Sequence, residues 1–269
     1  MFNLLRMDMR RLFRSRSFYI ILGVTAALLV LMTVMVSAVS APEKMDALQS
    51  TGVVVIDGSS EGLREELQGM TQLDFVHECL GSGFLLMLIC IGVTLLVHTD
   101  FTSGYIKNIC FAHPRRREYV LSKVLVAGAY SGIVITLGVL LSLGCPILFG
   151  IHPVTSPLVD ILRYTFWLWL PHWAFGLMGL ALVLLARSST LGIIMAVLSG
   201  GGLVAVLLQS LCQRFGWHNL AQYMLNMVVC DQCAPMPDMG RMAMILACTA
   251  GWGLVYTAGS LLMLEKRDI

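Results

Sequence analysis

Charge is what this chain has least of. Only 13% of its 269 residues are Asp, Glu, Lys or Arg, against about 25% in an ordinary soluble domain, and its mean hydropathy is +0.81. No acidic or basic residue at all falls in six long runs, 18–39, 81–99, 124–150, 164–186, 191–212 and 242–264. A helix needs roughly 20 apolar residues to cross the ~30 Å hydrocarbon core of a bilayer, and each run meets that length. The alternation of polar and apolar residues that a membrane β-barrel strand requires is missing too. Since lipid offers the backbone no hydrogen bonds, the runs are expected to be helices that satisfy themselves.

Other absences remove whole classes of chemistry. With no Asp in any run, intramembrane aspartyl proteolysis is excluded. There is no His-Glu-x-x-His pair of zinc ligands one helical turn apart, and His77-Glu78-Cys79 does not substitute for it. The nearest approach to the Gly-x-Ser-Gly of an intramembrane serine protease is Ala129-Tyr130-Ser131-Gly132, wrong at its first position. A phosphate-binding loop needs Gly-x-x-x-x-Gly-Lys-Ser/Thr, and no Gly-Lys pair occurs anywhere. Any nucleotide chemistry must then reside on another chain. An intramembrane enzyme or a membrane scaffold remains the minor alternative.

The few charges are unevenly shared. With the N-terminus inside, the inner pieces 1–17, 100–123, 187–190 and 265–269 carry 13 of the 18 basic residues and only 5 of the 16 acidic ones. The positive-inside rule therefore puts both termini in the cytoplasm of a multi-pass cell-membrane protein. The first run, at 22 residues, exceeds the ~7–15 of a cleaved leader's apolar core, so it is expected to stay as a span. Residues 1–17 form the period of an amphipathic helix, with Phe2, Leu5, Met9, Leu12 and Phe13 on one stripe beside Arg6, Arg10 and Arg14. Such a helix lies in the interface and meets anionic lipid.

Outside, residues 40–80 are expected to make a small cap leaning on the spans. Gly52–Asp57 suggests a short strand and residues from Ser60 a helix. The last outer loop, 213–241, carries Cys230 and Cys233. A local disulfide there suits the oxidising side; free thiols, or a zinc site with Cys79, His77, Cys212 or His218, are the alternatives.

The polar interruption at 100–123, "DFTSGYIKNICFAHPRRREYVLSK", is longer than a turn requires. From Ser103 to Ala112 its apolar residues Tyr105, Ile106, Ile109 and Cys110 cluster at helical spacing, with Lys107 and Asn108 facing away. Pro114 stops that helix, and Arg115, Arg116 and Arg117 lead back to the membrane. A short amphipathic helix beside three arginines suits a groove on a cytosolic partner; lying flat on headgroups is the other reading.

In this loop and in its whole layout the chain resembles the permease subunit of type-2 ATP-binding-cassette exporters, most closely the bacterial branch found in bacteriocin, lantibiotic and bacitracin self-protection. The local match is Asp100-Phe101, Gly104, Ile106-Lys107-Asn108, then Arg116, Tyr119, Ser122 and Lys123. The resemblance implies an all-α membrane fold of six spans, an N-terminal interfacial helix, and a coupling helix between spans two and three. It implies a cytosolic ATPase partner that binds ATP and Mg, a second permease copy or sister permease, and export of an antimicrobial peptide or amphiphilic antibiotic. An exporter of lipid, polysaccharide or small drugs would share the same build. The coupling residues it implies are Asp100, Phe101, Gly104, Tyr105, Ile106, Lys107, Ile109, Pro114, Arg116, Tyr119 and Lys123. One departure falls at the end of the coupling helix: where the family has Gly-x-Ser before the Arg, this chain has His113-Pro114-Arg115. The string Leu198-Ser199-Gly200-Gly201-Gly202 has the look of the ATPase signature motif but lies mid-span, so it is read as a close-packing or flexible point. Nothing points to nucleic acid. No cofactor is expected on this chain.

In the fourth run His172 follows Pro171 among Trp167, Trp169 and Trp173. Ionisable groups inside a membrane mark function, so His172, Trp169 and Trp173 are candidates for a substrate path. The expectation for His172 is a neutral ring bonded to a neighbouring helix. The tryptophans are expected near the outer leaflet, where such rings belt the interface.

Overall fold

The chain is seen in a computed structural model that describes residues 2–40, 69–106, 116–149, 151–217, 220–233 and 238–266. Among these residues every named element is helical and none is a strand. Five of the six apolar runs fold as single helices long enough to cross a membrane. In order, α1 is Phe2–Arg14, α2 Arg16–Ser40, α3 Gln72–Leu80, α4 Gly83–Thr102, α5 Arg116–Leu148, α6 Leu158–Ala186, α7 Ser189–Gly200, α8 Leu203–Phe215 and α9 Met239–Lys266. Leu220–Tyr223, Leu225–Met227 and Val228–Gln232 form an elbow of short turns before α9. Among the described residues the protein is all-α, and its long apolar helices are those of a membrane-embedded protein. The strand at 52–57 and the helix start at Ser60 lie outside the described residues.

Several helices outrun the apolar stretches that announce them. α5 starts at Arg116 rather than 124, and α6 starts at Leu158 and takes in Asp160 and Arg163. Backbone hydrogen bonding does not stop where the hydrocarbon does, so charged end turns simply extend the helix.

The fifth run departs from the expected single span. It breaks into α7 and α8, bent by 60°, where Gly202 adopts φ 81 and ends the ladder. Gly201 donates to the Val197 carbonyl at 2.9 Å and Gly202 to the Ser199 carbonyl at 3.2 Å, which tightens the last turn of α7. Three consecutive glycines allow this; a side chain at Gly202 would be strained in the left-handed region.

The bundle is drawn together by glycines. A methyl group on Gly83 would overlap the Gly200 carbonyl, and one on Gly92 would overlap the Tyr130 hydroxyl. Gly179 and Gly192 both receive the Thr94 side chain, while Gly176 faces Val93 and Ile89. So α4 touches α6 and α7 almost backbone to backbone, the mode by which apolar helices associate in lipid.

At the end remote from α1, α3 leans on the bundle through buried Leu73, Phe75, Val76 and Leu80. A Thr71/Asp74 capping box starts it, and Gln72 donates to the Val154 carbonyl at 2.8 Å while Val154 donates back to Met70 at 3.1 Å. His77 Nδ1 lies 2.9 Å from the Tyr164 hydroxyl of α6.

Two outcomes follow. Gly83→Ala should destabilise the bundle by about 1–3 kcal/mol through overpacking, read as a fall in unfolding midpoint in detergent. Gly251→Ala, where nothing lies within 4 Å, should not. Burial holds the His77 pKa below its ordinary 6.5, so the unfolded chain binds the extra proton more readily. Stability should therefore fall as pH drops through about 6.5, and Tm measured between pH 7 and 5 should fall less in His77→Gln.

Candidate functional site at the root of the basic loop

α1 carries Leu4, Asp8 and Leu12 at four-residue spacing, all buried. A carboxylate on that apolar stripe needs partners, because a lone buried charge is costly. Its partners come from α5, whose Ser122 and Lys123 meet it just after the helix has entered the bundle. Lys123 Nζ donates to Asp8 Oδ1 at 2.8 Å and Ser122 Oγ to Asp8 Oδ2 at 2.7 Å. Beyond the end of α4, the Tyr105 hydroxyl adds a third bond at 3.2 Å.

Lys123 has a second carboxylate. Asp100, in the last turn of α4, sits 2.7 Å from Lys123 Nζ. It also pairs with Arg11 Nη1 of α1 at 2.8 Å and accepts from the Tyr119 hydroxyl at 2.9 Å. Relative exposure is 1% for Asp8, 1% for Asp100 and 3% for Lys123. Two anions and two cations make the set neutral, and six short contacts saturate its carboxylates. Removing such ions from water costs several kcal/mol each, a cost that the opposite charges and the hydroxyl donors around them offset. The Arg11 guanidinium lies 3.7 Å over the Tyr105 ring, and Arg11 Nη2 reaches Ser103 Oγ at 3.5 Å. Burial, then the nearby Asp8 charge, raises the Tyr105 hydroxyl above its ordinary pKa, so it stays a donor.

Of the expected coupling residues, Asp100, Tyr119 and Lys123 therefore face inward: Asp100 and Lys123 pair with α1, and Tyr119 bonds to Asp100. Tyr105 is half-buried against the same cluster, Phe101 is half-buried, and Ile106 is fully buried. Gly104 turns the chain out of α4 with φ 66, where only glycine is comfortable. Lys107, Ile109 and Pro114 lie outside the described residues, as does the expected helix beyond Ile106. Arg116 opens α5. Asp8 is absent from the residues that the loop motif marks. Its signal was there: the only acidic residue among the five arginines of residues 1–17, on the buried stripe.

The aromatic candidates sit elsewhere than expected. Trp169 and Trp173 stack at 5.2 Å, 9° from parallel, not near the far end of α6 but against the early turns of α5. Trp173 Nε1 donates to the Val124 carbonyl at 2.9 Å, and Trp169 Nε1 to the Gly128 carbonyl at 2.9 Å. Gly128 leaves the room: a methyl there would meet the Trp173 ring at 2.9 Å. The indoles therefore rivet α6 to α5 within two turns of Lys123. His172 is fully buried, but its Nδ1 lies 2.7 Å from the Leu168 carbonyl of its own helix, not a neighbouring one. Pro171 lies within the same helix.

Cys230 is exposed, Cys233 is buried, and both are free thiols. Cys233 donates weakly to the Trp167 carbonyl at 3.9 Å, and burial pushes its pKa up to about 12, so it is unreactive where it stands. Among the described residues no three His, Cys, Asp or Glu side chains stand together as metal ligands.

No protein-family model and no curated protein matches the chain.

Lys123→Met should strand two buried carboxylates and cost about 3–5 kcal/mol of stability. Adding Asp8→Asn should recover part of that loss, since one of the stranded anions disappears. Denaturant unfolding of the four species in detergent as a double-mutant cycle reads the coupling, and simple additivity would mean the cluster holds nothing together.

Proposed function

We propose that this chain is the transmembrane permease subunit of an ATP-driven exporter. It works as a dimer, homomeric or with a sister permease, and depends on a separate cytosolic ATPase that carries ATP and Mg. The observation that carries the reading is the Asp8–Lys123–Asp100–Arg11 cluster. It ties both roots of the basic segment, the end of α4 and the start of α5, to the amphipathic helix α1. A push on a loosely attached loop would be absorbed by the loop. A push on a segment rooted this way is delivered to three helices at once, and through the Trp169–Trp173 stack to α6. That is what a coupling element between an ATPase and a membrane path requires.

Charge distribution supports an inward-facing basic segment with both termini in the cytoplasm. The apolar outer side of α8, with Leu203, Val206, Leu207 and Leu211 exposed, suits lipid or a second permease. The substrate class that goes with the loop motif is an antimicrobial peptide or amphiphilic antibiotic, expelled for self-protection in a bacterial cell membrane.

An affinity pull-down of the tagged chain from its native membranes in mild detergent tests this. An ATPase bearing a phosphate-binding loop should come down with the wild type. It should be depleted at least several-fold with Lys107→Glu/Arg116→Glu, charge reversals expected to leave the spans folded. If a folded wild-type chain brings down no ATPase, the exporter reading fails.

A further inference from the structure

Between α1 and α4 lies a half-open cavity of about 360 Å³. α1 lines it with Met7, Arg10, Arg11 and Arg14, residues three, four and seven apart that share one face of a helix. That face lies beside the buried Leu4, Asp8 and Leu12 stripe, so α1 turns one side to the bundle and this side to the opening. α4 supplies Leu96, Thr99 and Asp100, and α5 supplies Lys123.

The charges that line this cleft are not all committed. Arg11 and Lys123 pair with Asp100 and Asp8, so those four cancel. Arg10 and Arg14 are exposed, and neither has an acidic partner among the described residues. The cleft therefore keeps two positive charges that no described side chain balances. Its apolar surface is placed differently. Leu96, 8% exposed, lies one turn deeper along α4 than Asp100 and forms the floor. Arg10, Arg14 and Met7, which line the cleft and are exposed, flank its mouth.

These features select a ligand. A small inorganic anion would meet the guanidinium groups and leave the apolar floor bare, and an apolar tail would do the reverse. A phosphodiester that carries acyl chains meets both. The depth suits it, because Ser15 joins the amphipathic α1 to the first span and the cleft opens where headgroups lie. A zwitterionic headgroup fits less well. Its cation would stand beside two arginines with no carboxylate to receive it, since Arg11 holds Asp100 Oδ1 while Lys123 and Tyr119 hold Oδ2. We propose that the cleft between α1 and α4 binds one anionic phospholipid, its phosphodiester paired with Arg10 and Arg14 and its glycerol end resting on Leu96 and Met7. Basic pockets between membrane helices hold anionic headgroups in this way. The general attraction of α1 for anionic lipid is thereby narrowed to one place, next to the Arg11–Asp100 pair that ties α1 to α4. Binding needs neither an ATPase nor a partner permease, so it stands apart from the exporter reading.

Native mass spectrometry of the full chain, released from an uncharged detergent, counts bound lipids by their mass. Phosphatidylglycerol should bind saturably at one per chain, about tenfold more tightly than phosphatidylcholine with the same acyl chains. Arg10→Gln/Arg14→Gln should bring the two lipids to equal affinity. Arg6→Gln/Arg16→Gln removes the same charge from exposed residues that do not line the cleft, and should leave the preference standing. Glycerol 3-phosphate, which has the phosphate without the chains, should not displace the bound lipid; displacement at matching concentration would mean a small-anion site and overturn the proposal. Equal affinity for the two lipids on the wild type would overturn it as well, and would leave the arginines to a protein surface. So would a loss of preference in the Arg6/Arg16 variant as large as in the Arg10/Arg14 variant, the mark of diffuse attraction. The wild-type comparison decides the matter even if a variant does not fold.

Discussion

One ammonium group organises the α1 end of this protein. Lys123 Nζ lies within 2.8 Å of Asp8 and 2.7 Å of Asp100, on two different helices, and without it those carboxylates would face each other across a dry gap. The position of α1 depends on it, because Asp8 is the polar point of an otherwise apolar buried stripe. The path out of α4 depends on it as well, because Asp100 is the last buried residue before the chain turns at Gly104. A set of apolar side chains could have filled the same volume at comparable stability. What apolar packing cannot supply is register: a helix turned by one residue would still bury leucines, but it would leave Asp8 without Lys123, Ser122 and Tyr105.

The middle of the bundle obeys a different constraint. In lipid there is little hydrophobic force between helices, so they associate by contact and by the few hydrogen bonds available. Glycines at 83, 92, 176, 179 and 192 let α4 meet its neighbours closely enough for that contact to count. The same residue type, three in a row at 200–202, breaks the fifth run. Close packing and breakage are thus two results of one property, the missing side chain.

How much of this could be read from the residues follows the same physics. The long apolar helices were legible because hydropathy sums over many residues and tolerates local detail. The kink in the fifth run was only half legible: Gly200-Gly201-Gly202 marked a weak point, but hydropathy does not report direction. Asp100, Tyr119 and Lys123 were marked by their pattern, yet whether they faced outward or inward depends on Asp8, far away in the chain, and no local periodicity carries that pairing. The tryptophans follow two specific facts rather than the general preference for interfaces: the early start of α6 and the room left by Gly128. Asn226 carried no sequence signal, since an asparagine in a polar outer loop is ordinary until the loop folds back into the bundle.

The polar places at Lys123 and at Asn226 are built to opposite specifications. Around Lys123 the described carboxylate oxygens each have a close partner, the charges cancel, and the tyrosines and serine fill the remaining valences. Such a cluster resists small displacements and moves as a unit. At Asn226 one half of the amide is committed to the Gly200 carbonyl and the buried oxygen is left without a partner. Carboxylates that each have a close donor gain little from any single new bond, whereas an unpaired buried acceptor is a standing cost that the surrounding packing must offset. In an apolar bundle the two are answers to one penalty: ions are tolerated where partners gather around them, and a neutral amide where only one partner fits.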